Sequence, residues 1–64
     1  MLQVAFAEIA EAGPAKLSDI AARADVLRVR AKMRGDYSLQ RAALMILERA
    51  ERRLRWFKRK EAKA

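Results

Sequence analysis

The sequence predicts an all-α protein: a small bundle of three helices, or four if the middle one breaks, ending in a long basic helix. Three observations carry this expectation. Apolar residues recur at spacings of three and four along nearly the whole chain, which places them on one face of a helix. Helix-breaking residues are confined to Gly13, Pro14 and Gly35. The hydrophobic fraction is 53%, rich in alanine, the strongest helix former, and too high for a disordered chain.

The first helix is expected from Leu2 to Ala12. Leu2, Phe6 and Ile9 share a face, and Glu8 and Glu11 lie off it. Gly13-Pro14 ends it, because proline lacks the N–H that would continue the ladder. Ser18 is expected to cap the second helix through its hydroxyl, with Asp19 at the positive N-terminal end. Leu17, Ile20, Ala21, Ala24, Leu27 and Ala31 then form one stripe, and Val26, Val29 and Met33 project from the other side. Two apolar faces imply either a helix sandwiched between partners or a break near Ala24-Asp25-Val26. The break is the preferred expectation, since it would turn Val26 and Val29 toward the core.

Gly35-Asp36 marks the next turn, with Asp36 or Ser38 as cap of the last helix. In that helix Leu39, Ala43, Ile46, Ala50, Leu54 and Phe57 repeat at three and four for over five turns. Ala42 to Leu47 is apolar nearly all round, and is expected to be buried on several sides and packed by the first helix and by Ser18–Ala24. Residues 1–60 form a single helical domain in this reading, and the tail 61–64 frays.

Size and charge narrow the function. A chain of 64 residues holds one domain at most and buries only about 60% of its unfolded surface, so helix packing or a partner must stabilise it. It has no cysteine and no histidine, so no disulfide and no conventional zinc ligands are available, and no cofactor is expected. Residues 1–27 carry Lys16 and Arg23 against Glu8, Glu11, Asp19 and Asp25, a net charge of −2. Residues 28–64 carry the other thirteen Lys and Arg against Asp36, Glu48, Glu51 and Glu61, a net charge of +9. Such asymmetry separates a packing half from a half suited to a polyanion. The N-terminus has no basic leader followed by an unbroken apolar run, and no stretch approaches the roughly 20 apolar residues of a membrane span. A cytoplasmic protein with no transmembrane segment is expected. Acidic residues have no spacing that enforces an acid–base pair, so no enzyme is expected.

Leu17-Ser18-Asp19-Ile20-Ala21-Ala22-Arg23-Ala24-Asp25-Val26 resembles the first part of a helix-turn-helix DNA-binding domain. Ile20, Ala21, Ala24 and Val26 stand in the order of that motif, which needs small side chains where two short helices cross. Asp25 takes the place of the usual turn glycine, and Arg34 that of an apolar residue in the second helix. The resemblance implies transcription regulation, with Arg28, Arg30, Lys32 and Arg34 facing base edges or phosphates. At 100° per residue these four spread over about 240°, so they do not share one helical face.

The stronger candidate is the end of the chain. Arg49, Arg52 and Trp56 share a side of the last helix, with Met45 behind them. Arg53, Arg55, Lys58, Arg59 and Lys60 surround that side. Cations in this density would neutralise phosphates, and Trp56 could stack on an exposed base of a single strand. Glu48 with Arg52 and Glu51 with Arg55 are spaced for ion pairs along the helix. Leu39, Ile46, Leu54 and Phe57 offer a partner or dimer interface, because the stripe looks too long for one small domain to cover. The expected partners are therefore nucleic acid, DNA first, and a second copy or a larger protein complex. The competing expectation is an accessory subunit that docks on a larger assembly through its apolar helices, its basic end touching an acidic partner, RNA or a membrane surface. Arg34-Gly35-Asp36 spells an integrin-binding tripeptide, but three residues recur by chance too often to carry a function.

Overall fold

The computed structural model describes residues 2–63, with side-chain surroundings described for 4–61. Helices α1 (Leu2–Glu11), α2 (Pro14–Arg34) and α3 (Tyr37–Lys63) make up the fold. The described residues form the predicted all-α bundle, with three helices and not four. α2 and α3 make an antiparallel hairpin about Gly35-Asp36, and α1 packs on α3 at the open end. The molecule is elongated, 44 × 20 × 14 Å.

Each boundary has a local cause. The Gly13 carbonyl accepts the Leu17 N–H at 3.0 Å, starting α2, and Pro14 sits in the first turn, where its missing N–H costs nothing. Ser18 is therefore not the cap: it lies inside α2, and no side chain caps that helix. At the other end Gly35 adopts φ +73°, a left-handed conformation that favours glycine. Its N–H donates to the Lys32 carbonyl at 3.2 Å and the Asp36 N–H to the Ala31 carbonyl at 2.9 Å, which satisfies two of the end carbonyls. The Arg-Gly-Asp sequence is thus a helix terminus. Asp36 Oδ1 accepts the Leu39 N–H at 3.1 Å and caps α3, as the sequence suggested. α3 runs on past Lys60, where the sequence reading let it fray, as far as Lys63; Ala64 lies outside the described residues.

The anticipated break at Ala24-Asp25-Val26 does not occur. α2 is continuous for 21 residues, so the turn that a helix-turn-helix requires at this point is not formed. Ala21, Ala22 and Ala24 are strong helix formers, and Asp25 bridges its own helix through Arg28 at 2.8 Å. No glycine or proline interrupts the segment.

The helices meet along a seam of small residues. Leu17, Ala24 and Ala31 are buried on α2, and Ala43 and Ala50 on α3, each set spaced by seven. That spacing keeps one narrow face of each helix on its neighbour. Alanine on both sides lets the backbones approach closely, so larger residues beside the seam are only partly covered: Leu27 is 38% exposed and Leu44 41%. The main apolar cluster lies at the open end, where Ile9 and Ala12 of α1 join Leu17 and Ala50, with Phe6, Ile20, Ala21, Ile46, Leu54 and Phe57 packed around them. Leu2, expected on the same face as Phe6 and Ile9, has its side chain outside the described residues.

Two further expectations are corrected here. Ala42–Leu47 is not buried on several sides: Ala43 is enclosed, Ala42, Ile46 and Leu47 are half-buried, and Leu44 and Met45 are exposed. The reason is the length of α1, whose ten residues reach about 15 Å and dock further along α3. The proposed dimer stripe is used inside the chain. Ile46, Leu54 and Phe57 pack on the core cluster and Leu39 is half-buried, because an unbroken α2 is long enough to cover it.

Candidate nucleic-acid interface

The basic end of α3 and the outer side of α1 form an open groove of about 600 Å³. Phe6, Ile9 and Ala10 line it from α1, and Arg49, Arg52, Arg53, Trp56 and Arg59 from α3. Spacings of three and four put these α3 residues, with Lys60, within about 120° of one helical face. The core residues Ala43, Ala50 and Phe57 lie on a different arc, so the cations are turned outward while the same helix holds the fold.

Aromatic rings position the cations. The Arg49 guanidinium lies over the Phe6 ring, 4.0 Å from its centroid, and links α1 to α3. Arg53 lies 4.2 Å from the centre of Trp56 and 5.4 Å from that of Phe57. Lys60 Nζ lies 4.6 Å from the centre of Trp56. Trp56 and Phe57 meet edge to face at 4.9 Å. Each cation–ring contact stabilises by about 0.5–1 kcal/mol where exposed, without neutralising the charge. Arg53 Nε is buried with no hydrogen-bond partner, so this side chain is held by its two rings and presents only its outer nitrogens.

Among the described residues, no acidic side chain forms an ion pair with the cations of this face. The ion pairs among the described residues are Arg23–Asp19 at 3.2 Å and Arg28–Asp25 at 2.8 Å, both on α2. The expected pairs Glu48–Arg52 and Glu51–Arg55 do not form. Exposed pairs of that kind are worth only about 0.3–0.5 kcal/mol, and Arg52 instead lines the groove toward α1.

The predicted site residues thus separate into groups. Arg49, Arg52, Arg53, Trp56, Arg59 and Lys60 come together. Arg55 and Lys58 are exposed on other sides of α3 and do not line the groove. Arg28 is engaged with Asp25. Lys32 and Arg34 stand in the last turn of α2, where cations favour the negative helix end. Arg30 lies beside Val26 and Leu27 in a second shallow depression with Ala22 and Arg23. The sequence alone does not point to a contribution from α1: Phe6 packs on the core cluster, as its spacing predicts, and its ring also carries Arg49. Its signal would have been an aromatic on a short helix whose partner face bears arginines.

Among the described residues, no helix is long and apolar enough to cross a membrane. Comparison with known proteins yields no significant match to a family model, to a curated protein or to a solved structure.

Proposed function

We propose that this chain is a small non-catalytic nucleic-acid-binding protein, a DNA-binding regulator or architectural factor that holds phosphates through one face of its last helix. One observation carries the reading: Arg49, Arg52, Arg53, Arg59 and Lys60 share a face, and none of them is in an ion pair among the described residues. Like charges gathered at this density repel one another, and a polyanion relieves the repulsion while its counterions return to solution. The reading does not rest on a helix-turn-helix. Arg52→Glu together with Arg59→Glu removes the groove's attraction without touching the cation–ring contacts. A labelled DNA duplex titrated at low salt should bind the wild-type chain and lose most of that binding with the double variant. Equal binding by both proteins would remove the groove from the site.

A second reading has its own observation. Val26, Val29 and Met33 are 50%, 43% and 83% exposed on the side of α2 opposite the alanine seam. An accessory subunit of a larger assembly would bury such a stripe. Circular dichroism and sedimentation of the chain alone separate the two readings: a regulator is folded as a monomer or dimer, whereas an obligate subunit is unfolded or aggregates.

A further inference from the structure

Resting on the nucleic-acid reading above, we infer that the groove takes an unpaired base, laid against Trp56 or the Phe6–Arg49 stack while the neighbouring phosphates meet Arg52 and Arg59. The five cations of the groove face all belong to α3. A row of phosphates needs that helix alone. α1 adds a second wall that carries no charge: Phe6, Ile9 and Ala10. Its acids, Glu8 and Glu11, do not line the groove. Ile9 is buried, but Phe6 is only half-buried and Ala10 is exposed, so the core does not use up this wall. A ligand that fills the groove therefore carries an apolar part beside its charges.

Two surfaces in the groove suit the flat face of a base. The first is Trp56. Arg53 and Lys60 approach its ring centre to 4.2 and 4.6 Å, yet the residue stays 37% exposed and lines the groove. The second is the Arg49 guanidinium. It lies over the Phe6 ring, 4.0 Å from the centroid, and Arg49 is exposed and lines the same groove. A guanidinium is planar, and bases stack on such planes as they do on aromatic rings. Seated on Phe6, this one is held in place before any ligand arrives.

Only an unpaired base meets these surfaces with its face. Inside a duplex each base is stacked on its neighbours and shows an edge in the grooves. In a strand, loop, bulge or overhang the base is free to turn out onto a side chain. The groove, about 600 Å³ and open to solvent, falls within the roughly 300–1,000 Å³ of sites for small organic ligands. That is room for a nucleotide and not for a long run of strand. The phosphates of a duplex still reach the cations, so a duplex binds. An unpaired base adds a contact that a paired one withholds.

The test uses the full chain and three labelled DNAs at the same low salt: a blunt duplex, the same duplex with a short unpaired overhang, and that overhang built from abasic residues. The last two carry the same phosphates, so the difference between them reads the bases alone. Anisotropy gives each affinity, and emission of Trp56, the sole tryptophan, reports its environment. The natural overhang should bind about five-fold to a hundred-fold tighter than the abasic one and change Trp56 emission, as one stacked base does. Trp56→Ala should bring the ratio of these two affinities toward one. Ala10→Leu, which fills the groove from an exposed position and alters no cation, should do the same. Circular dichroism confirms that both variants are helical. Equal affinity for the two overhangs in the wild-type chain, or an unchanged ratio in both variants, would overturn the inference, and binding of the blunt duplex would then leave the nucleic-acid reading in place. Binding of none of the three DNAs would remove that reading, and this inference with it.

Discussion

Salt dependence counts the phosphates that the groove neutralises, and the structure supplies the number. Five cations stand on the groove face: Arg49, Arg52, Arg53, Arg59 and Lys60. If each neutralises one phosphate of a duplex, log affinity falls against log salt with a slope of about −4.5, from −0.9 per contact. Between about 50 and 200 mM salt that slope weakens binding by about 500-fold. Arg52→Gln with Arg59→Gln removes two contacts, and the slope becomes about −2.7, a loss of about 40-fold over the same range. These two arginines are chosen because neither lies over a ring and both are exposed, so folding is unaffected. Fluorescence anisotropy across the salt series gives both slopes, and circular dichroism on the same samples confirms that the variant is helical. A control with Arg30→Gln and Lys32→Gln should keep the wild-type slope. If the control flattens the slope and the groove variant does not, the α2 cations hold the ligand and the assignment of the groove is refuted.

Three stability predictions test the fold that positions this face. Asp25→Gly distinguishes helix from turn by its sign: in a continuous α2 it costs about 0.5–1 kcal/mol, a few tenths from helix propensity and the rest from the lost pair with Arg28, and lowers the melting temperature, whereas in a helix-turn-helix glycine would be tolerated or stabilising. Gly35→Ala should destabilise by about 1–2 kcal/mol through its left-handed backbone alone, because an added Cβ meets nothing within 4 Å. That corresponds to several degrees in thermal denaturation, and an unchanged midpoint would contradict the φ of +73°. Ala50→Leu forces three further heavy atoms into the place where α1, α2 and α3 converge and should cost about 1–3 kcal/mol, whereas Leu44→Ala on the exposed side should change stability by no more than about 0.5 kcal/mol. Chemical denaturation of the pair checks the contrast, and equal effects would mean that the seam is not packed as described.

Much of this molecule was legible from periodicity and punctuation. The stripes Leu17–Ala24–Ala31 and Ala43–Ala50–Phe57 follow from spacing alone, because a helix repeats every 3.6 residues whatever it later packs against. Gly13-Pro14 and Gly35-Asp36 had to interrupt helices for equally local reasons, one missing N–H and one left-handed residue. The clustering of Arg49, Arg52 and Trp56 on one side was equally a matter of angle per residue. What local rules did not settle was where short elements come to rest. Whether α2 bends at Asp25 depends on whether bending would bury more apolar surface than the alanine seam already does, which is a comparison between whole arrangements. The place of α1 on α3 decided that Phe6 carries an arginine, that Leu44 and Met45 stay exposed, and that the last turns of α3 share a groove. Ion pairing likewise went to Asp19 and Asp25 and not to Glu48 and Glu51. A spacing permits a weak surface pair, and the competing contacts of each long side chain in three dimensions decide whether it forms.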